Sequence, residues 1–151
     1  MEIQFSSSTR TIVRCAAAAL AAVLLSTKAN CADQPPAVLA PDDTAVAWQK
    51  CQGWPVGCEF AVIWADGTTG ASGAYVRAPR GYLFQRASHT ATERIIVLRG
   101  RVSSGVDGVG ESMLSPGMSW GIPAKSVHWA KCEDPCLMYI HFDGPYDHVL
   151  H

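Results

Sequence analysis

His89-Thr90-Ala91-Thr92-Glu93-Arg94-Ile95-Ile96-Val97-Leu98-Arg99-Gly100 and Gly117-Met118-Ser119-Trp120-Gly121-Ile122-Pro123-Ala124-Lys125-Ser126-Val127-His128 are the two stretches on which the fold turns. In the first, Glu93, Ile95 and Val97 alternate along a predicted strand and share one face, which sets a carboxylate at the end of an apolar wall. His89 closes the strand before it. Four fully extended residues would hold His89 about 13 Å from Glu93, so the Thr90-Ala91-Thr92 stretch must turn to bring them together. His128 follows a turn at Ile122-Pro123-Ala124-Lys125 and has to arrive on a distant strand. Two imidazoles and a carboxylate from two hairpins can grip a transition metal.

Working outward, the apolar runs are short: Phe60 to Trp64, Ala74 to Val76, Ile95 to Leu98 and Leu137 to Phe142. Turn signals separate them at Asp66-Gly67, Gly70 to Gly73, Pro79 to Gly81, Asp107-Gly108 and Pro116-Gly117. Beyond the N-terminal region no segment sustains a helical period of ten residues. The expectation is one all-β sandwich or barrel over 46–151, preceded by a flexible arm over 30–45 that is rich in Pro, Ala and Asp.

The first 29 residues read as a signal peptide. Arg10 and Arg14 form a positive n-region, Cys15 to Leu25 an apolar stretch too short to span a bilayer, and small and polar residues follow, with cleavage placed after Ala29 and Ala32 as the rival. Cys31 lacks the small residues that a lipidated cysteine needs before it. Cleavage would leave about 120 residues, enough for one modest core, and would remove Arg10, Arg14, Lys28 and Glu2, carrying the formal charge from −1 toward −3. No basic patch remains, which excludes nucleic acid as a partner. The scattered arginines, Arg86 among them, read as solvated strand-edge residues. Once the signal is cut nothing attaches the chain to a membrane, and the expected location is periplasmic or secreted.

Four further cysteines form two close pairs, Cys51 with Cys58 and Cys132 with Cys136. Four cysteines allow three pairings. The local pairing is favoured because each loop encloses turn formers, Gly53-Trp54-Pro55 and Asp134-Pro135; a zinc site is the rival, but the spacing fits a zinc ribbon poorly and export favours disulfides.

With these residues in view the chain resembles a cupin. The family's first motif runs Gly, five residues, His-x-His, three or four residues, Glu, six residues, Gly; here Gly81, Ala87-Ser88-His89, Glu93 and Gly100 keep that spacing. The second runs Gly, five residues, Pro-x-Gly, two residues, His, three residues, Asn, and is matched by Gly117, Pro123 and His128, with Lys125 at the glycine and Cys132 at the asparagine. Trp48, Gly144-Pro145 and Tyr146 to Leu150 are similar to small uncharacterised cupins of the anti-sigma-factor type. The resemblance implies a conical, jelly-roll-like double-stranded β-helix with one divalent metal near its open mouth: Fe, Mn, Zn, Ni or Cu.

Ala87 replaces the family's first motif histidine, which reduces the implied ligand set to His89, Glu93 and His128. Tyr139, His141, Trp120 and Trp129 are the candidates for the surrounding pocket, with His141 as a possible compensating ligand; packing is the alternative for each. Trp48 and Trp54 are expected to cover the barrel end, and His148 and His151 to belong to a tail. The resemblance admits dioxygenase, isomerase and lyase chemistry on a small organic molecule, with a dioxygenase-like enzyme preferred because three protein ligands leave room for two-point binding. A non-catalytic ligand-binding or sensing barrel is the alternative that Ala87 favours. The alternate face of Ile96 and Leu98 suits a homodimer, with burial under the opposing sheet as the alternative.

Overall fold

The computed structural model describes residues 39–151. The export segment, Cys15, Cys31 and the first part of the arm lie outside the described residues. Among the described residues, no helix is long and apolar enough to cross a membrane.

Eleven strands account for the regular structure: β1 (Gln49–Lys50), β2 (Glu59–Ala65), β3 (Ser72–Ala78), β4 (Leu83–Ser88), β5 (Glu93–Arg99), β6 (Val102–Val106), β7 (Gly110–Leu114), β8 (Ser119–Ile122), β9 (His128–Cys132), β10 (Cys136–Phe142) and β11 (Val149–Leu150). They form two antiparallel sheets, one in the order β1-β2-β3-β10-β5-β8, the other β11-β4-β9-β6-β7. The inner faces close on one core in which Val97, Val102, Ile122, Cys132 and Met138 are almost fully buried. This is the expected all-β jelly-roll barrel of the cupin kind.

The alternation expected of β5 holds along its length: Glu93, Ile95 and Val97 are buried, while Arg94 and Ile96 are exposed. Opposite, β9 turns His128, Ala130 and Cys132 inward, paired in register with Val106, Ser104 and Val102 of β6. Ser104 is buried yet satisfied, since its hydroxyl donates to the Trp129 carbonyl at 2.7 Å.

Gly100 turns the chain from β5 into β6 at φ 75°, where a Cβ would also collide with the Pro135 carbonyl; only glycine meets both demands. Among the described residues, Lys125 is the one non-glycine residue with positive φ, at 66°. It occupies the position where the family motif has glycine, and the turn keeps the left-handed conformation without it.

Both disulfides follow the local pairing, Cys51–Cys58 and Cys132–Cys136, with Cα separations of 5.4 and 5.6 Å. They sit differently. Cys132 and Cys136 are both buried in the core, whereas in the other pair Cys58 is buried, Cys51 packs against the core from its edge, and both border a cavity. Residues 39–45 of the arm are tied to the outside of the first sheet, Tyr75 donating to the Leu39 carbonyl at 2.9 Å and Arg99 pairing with Asp42.

Candidate metal centre

The β4–β5 turn, a two-strand connection of Thr90 to Thr92, folds His89 back over Glu93 as its spacing requires. His128 opens β9 opposite Ala87 of β4. The three side chains converge: one ligand atom from each lies within 4.8 Å of the others, and all three residues are buried. Nε2 of His128 is 3.0 Å from Glu93 Oε2, and Nε2 of His89 is 3.5 Å from the same atom.

The other ring nitrogens fix what these contacts mean. Nδ1 of His89 faces the Asp147 carbonyl, and Nδ1 of His128 faces the Ser126 carbonyl at 3.0 Å. A carbonyl can only accept, so each Nδ1 carries the hydrogen. In the neutral rings both Nε2 atoms then present lone pairs to a carboxylate oxygen that is buried and has no hydrogen-bond partner of its own. Three acceptors aimed at one point call for a cation, either a proton shared with an imidazole or a metal ion. Imidazole nitrogens whose opposite N–H is tied to a backbone carbonyl are the usual donor arrangement at metal sites. The residues present therefore fit a metal.

Without metal, the proton choice falls on His128. Burial lowers its pKa, but the hydrogen bond and charge of Glu93, helped by the Ser126 carbonyl, outweigh burial and leave it raised above 6.5.

His89 is held from three sides. Lys125 N donates to its carbonyl at 2.7 Å, while the Asp147 carboxylate accepts from Thr90 N at 2.8 Å and Thr90 Oγ1 at 2.7 Å, which positions the Asp147 carbonyl against the ring. Those Thr90 hydrogen bonds also lower the Asp147 pKa. The ring packs against Phe142 and Tyr146, centroids 5.0 and 5.8 Å away.

The triad opens into a cavity of about 200 Å³. Phe60, Val76, Ile95, Met138, Ile140 and Phe142 form its walls, and Trp54, Phe84 and Tyr146 line it from the loop, β4 and the C-terminal segment. Trp54 Nε1 donates to Tyr146 Oη at 3.0 Å and its ring meets Phe84 edge-on at 5.8 Å. Tyr82, its pKa raised by desolvation, anchors the loop by donating to the Pro55 carbonyl at 2.7 Å. Desolvation likewise raises the Tyr146 hydroxyl, although half of the residue remains exposed.

The expected pocket residues divide. Trp129 borders the cavity, but its indole lies over Gly105 on the far side of its sheet. Trp120 packs on the core beside the cavity without lining it. Tyr139 and His141 do not line it either: β10 sends Met138, Ile140 and Phe142 inward, so strand alternation puts both on the outer face. There Tyr139 accepts a hydrogen bond from Trp64 Nε1 at 2.8 Å, and His141 pairs with Asp143 at 3.0 Å. His141 is accordingly no substitute for the missing histidine. Ala87, at the position of the family's first motif histidine, is 1% exposed and stands opposite His128 in register.

Of the two tryptophans expected over the barrel end, Trp54 lines the cavity and Trp48 lies under Arg77 elsewhere, 4.0 Å from the guanidinium. Arg86 pairs with Asp107 on the surface. Tyr146, which the sequence marks only through its resemblance to small cupins, and Phe84, which carries no sequence signal, both line the cavity.

A β-barrel with two histidines and a glutamate gathered at an apolar cavity is a cupin. A family profile described as the ChrR cupin-like domain matches residues 37–147, and the chain belongs to that family. No curated protein matches it. Solved structures with the same fold include an RmlC-like cupin from Shewanella frigidimarina, 18% identical with a TM-score of 0.61 over 75% of this chain and 94% of that one. KdgF from a Halomonas species is 22% identical with a TM-score of 0.57, covering 67% and 89%. The DMSP lyase DddQ from Ruegeria pomeroyi is 18% identical with a TM-score of 0.60, covering 70% and 60%. At these identities the likeness shows the fold alone.

Proposed function

We propose that the domain binds one divalent transition metal through Nε2 of His89, Nε2 of His128 and the Glu93 carboxylate, and uses it in a dioxygenase-like reaction on a small organic molecule. The observation that carries the reading is the buried Glu93 Oε2, left without a partner where two imidazole lone pairs meet it. When bound, such a metal supplies Lewis acidity or one-electron chemistry with dioxygen at the mouth of an apolar cavity. The chain's own part is to fix both imidazole tautomers through Asp147 and Ser126, to exclude water with Phe142 and Tyr146, and to hold the substrate against the apolar cavity wall. Metal analysis of the purified protein is expected to give close to one ion per chain; absence of metal after reconstitution with Fe(II), Mn(II), Ni(II), Cu(II) and Zn(II) would sink the proposal. Oxygen uptake with an added substrate then distinguishes a dioxygenase from isomerase or lyase chemistry.

Ala87 favours a second reading, a ligand-binding or sensing barrel with a reduced metal site. In that case ligand binds to the metal-loaded protein without turnover. The exported location belongs to the first proposal as well, on the support of two disulfides that suit an oxidising compartment; N-terminal sequencing of the protein from the periplasm or medium is expected to begin after Ala29. Pairing of two copies through the outer face that bears Ile96 is tested by light scattering.

A further inference from the structure

None of the residues lining the cavity is an arginine or a lysine, and their polar groups beyond the triad are Gln52, Ser72, Gln85 and the Tyr146 hydroxyl, all uncharged. The chain does not lack cations. Arg77, Arg86, Arg94, Arg99 and Arg101 each pair with a carboxylate on the surface, and Lys131 pairs with Glu133. The barrel has turned its cationic groups outward and left the cavity to aromatic and aliphatic walls.

We infer that the cavity takes a molecule built on a single flat apolar ring, with no anionic group on that ring and with its oxygen donors at the triad end. Only the position of the oxygen donors rests on the metal reading. Size supports one ring: a dry 150 Å³ cavity lined by aliphatic and aromatic side chains holds benzene, and this one is about 200 Å³. The lining supports flatness, because Trp54, Phe84 and Phe142 bring three aromatic rings to the cavity, and aromatic rings pack against one another offset or edge to face. Charge excludes a carboxylate on the ring, which would be desolvated among Phe60, Met138 and Ile140 with no cation to meet it. At the triad a divalent metal with one carboxylate ligand keeps one net positive charge. That suits a donor that is neutral in water and loses one proton on binding, such as an enol or a hydroxamic acid carried beside the ring.

Two calorimetric titrations test the inference. The first uses metal-free protein with 4-ethylphenol and 4-ethylbenzoate, which differ in charge and need no metal. The phenol is expected to bind at least tenfold more tightly; equal or tighter binding of the benzoate, or no binding of either, overturns the inference. The second uses zinc-loaded protein with benzohydroxamate and acetohydroxamate, which share a headgroup and differ in the ring. A tenfold preference for the phenyl compound is expected, falling at least threefold in Trp54→Ala and Phe84→Ala at unchanged zinc content; equal affinities overturn it. Failure to load zinc counts against a zinc site and leaves the metal proposal to reconstitution with the other four ions, and the phenol and benzoate pair then decides the present inference.

Discussion

Two histidine–carboxylate clusters sit back to back across the same strands. Inside the barrel, Glu93 of β5 meets His89 and His128; outside, Asp143, just past the end of β10, meets His141 and Arg94. Glu93 and Arg94 are sequence neighbours, as are Phe142 and Asp143, so one strand position separates the two environments. The outer carboxylate is 44% exposed, neutralised by a guanidinium and held at a lowered pKa, first by its hydrogen bond to Arg94. The inner one is 6% exposed, has no cation and keeps an oxygen without a partner. Residue type is therefore a poor guide to a metal site, and what discriminates is burial without a resident cation.

The contrast is most exposed to test at Glu93. Glu93→Ala is expected to reduce metal content from about one ion per chain to near zero, measured by mass spectrometry on folded protein, while Asp143→Ala leaves it unchanged; metal retained in the first variant would erase the distinction between the clusters. A smaller effect is expected at Asp147, whose side chain holds the segment that orients His89. Removing such an outer-shell partner in Asp147→Ala should weaken metal binding about 10-fold, read by competition with a chromophoric chelator.

The inner cluster should also reveal itself by pH in the metal-free protein. The folded-state pKa of His128 is raised, so the stabilisation from its pairing with Glu93 is fully present below about pH 6.5, the unfolded value, and is lost as pH rises through the raised pKa. Urea unfolding at pH 5.5 and 8.5 should show wild type ahead of His128→Gln at the lower pH and closer to it at the higher one. Lys125→Gly relieves a left-handed lysine, worth 1–2 kcal/mol, against the added flexibility of the unfolded chain, for a net gain of up to about 1 kcal/mol. The least change is expected from the outer ion pair: Asp143→Ala should leave the urea midpoint nearly where it is in wild type, since exposed pairs contribute little.

Much of this was legible because the informative signals are local. The period-2 pattern of Glu93, Ile95 and Val97 fixes a face, the Thr90 to Thr92 stretch must turn to unite His89 with Glu93, and each cysteine pair brackets turn residues. What escaped lies where local pattern is ambiguous or absent. Cys136 to Phe142 is apolar on both faces and carries a register shift between Leu137 and Met138; alternation there says that Tyr139 and His141 share a face but not which one. The lining contributed by Trp54, Phe84 and Tyr146 comes from three segments separated by 30 to 92 positions, and only the closed barrel makes them neighbours. The tautomer of His89 depends on a carbonyl 58 positions away.

That last contact has a consequence in time. His89, Glu93 and His128 are all synthesised before Asp147, yet His89 cannot settle into its ligating orientation until the segment after β10 has folded back across Thr90. A barrel built on such long-range pairings closes slowly. Metal capture should be among the last events in its maturation, and a chain stalled before residue 147 would carry every metal-binding side chain without a finished site.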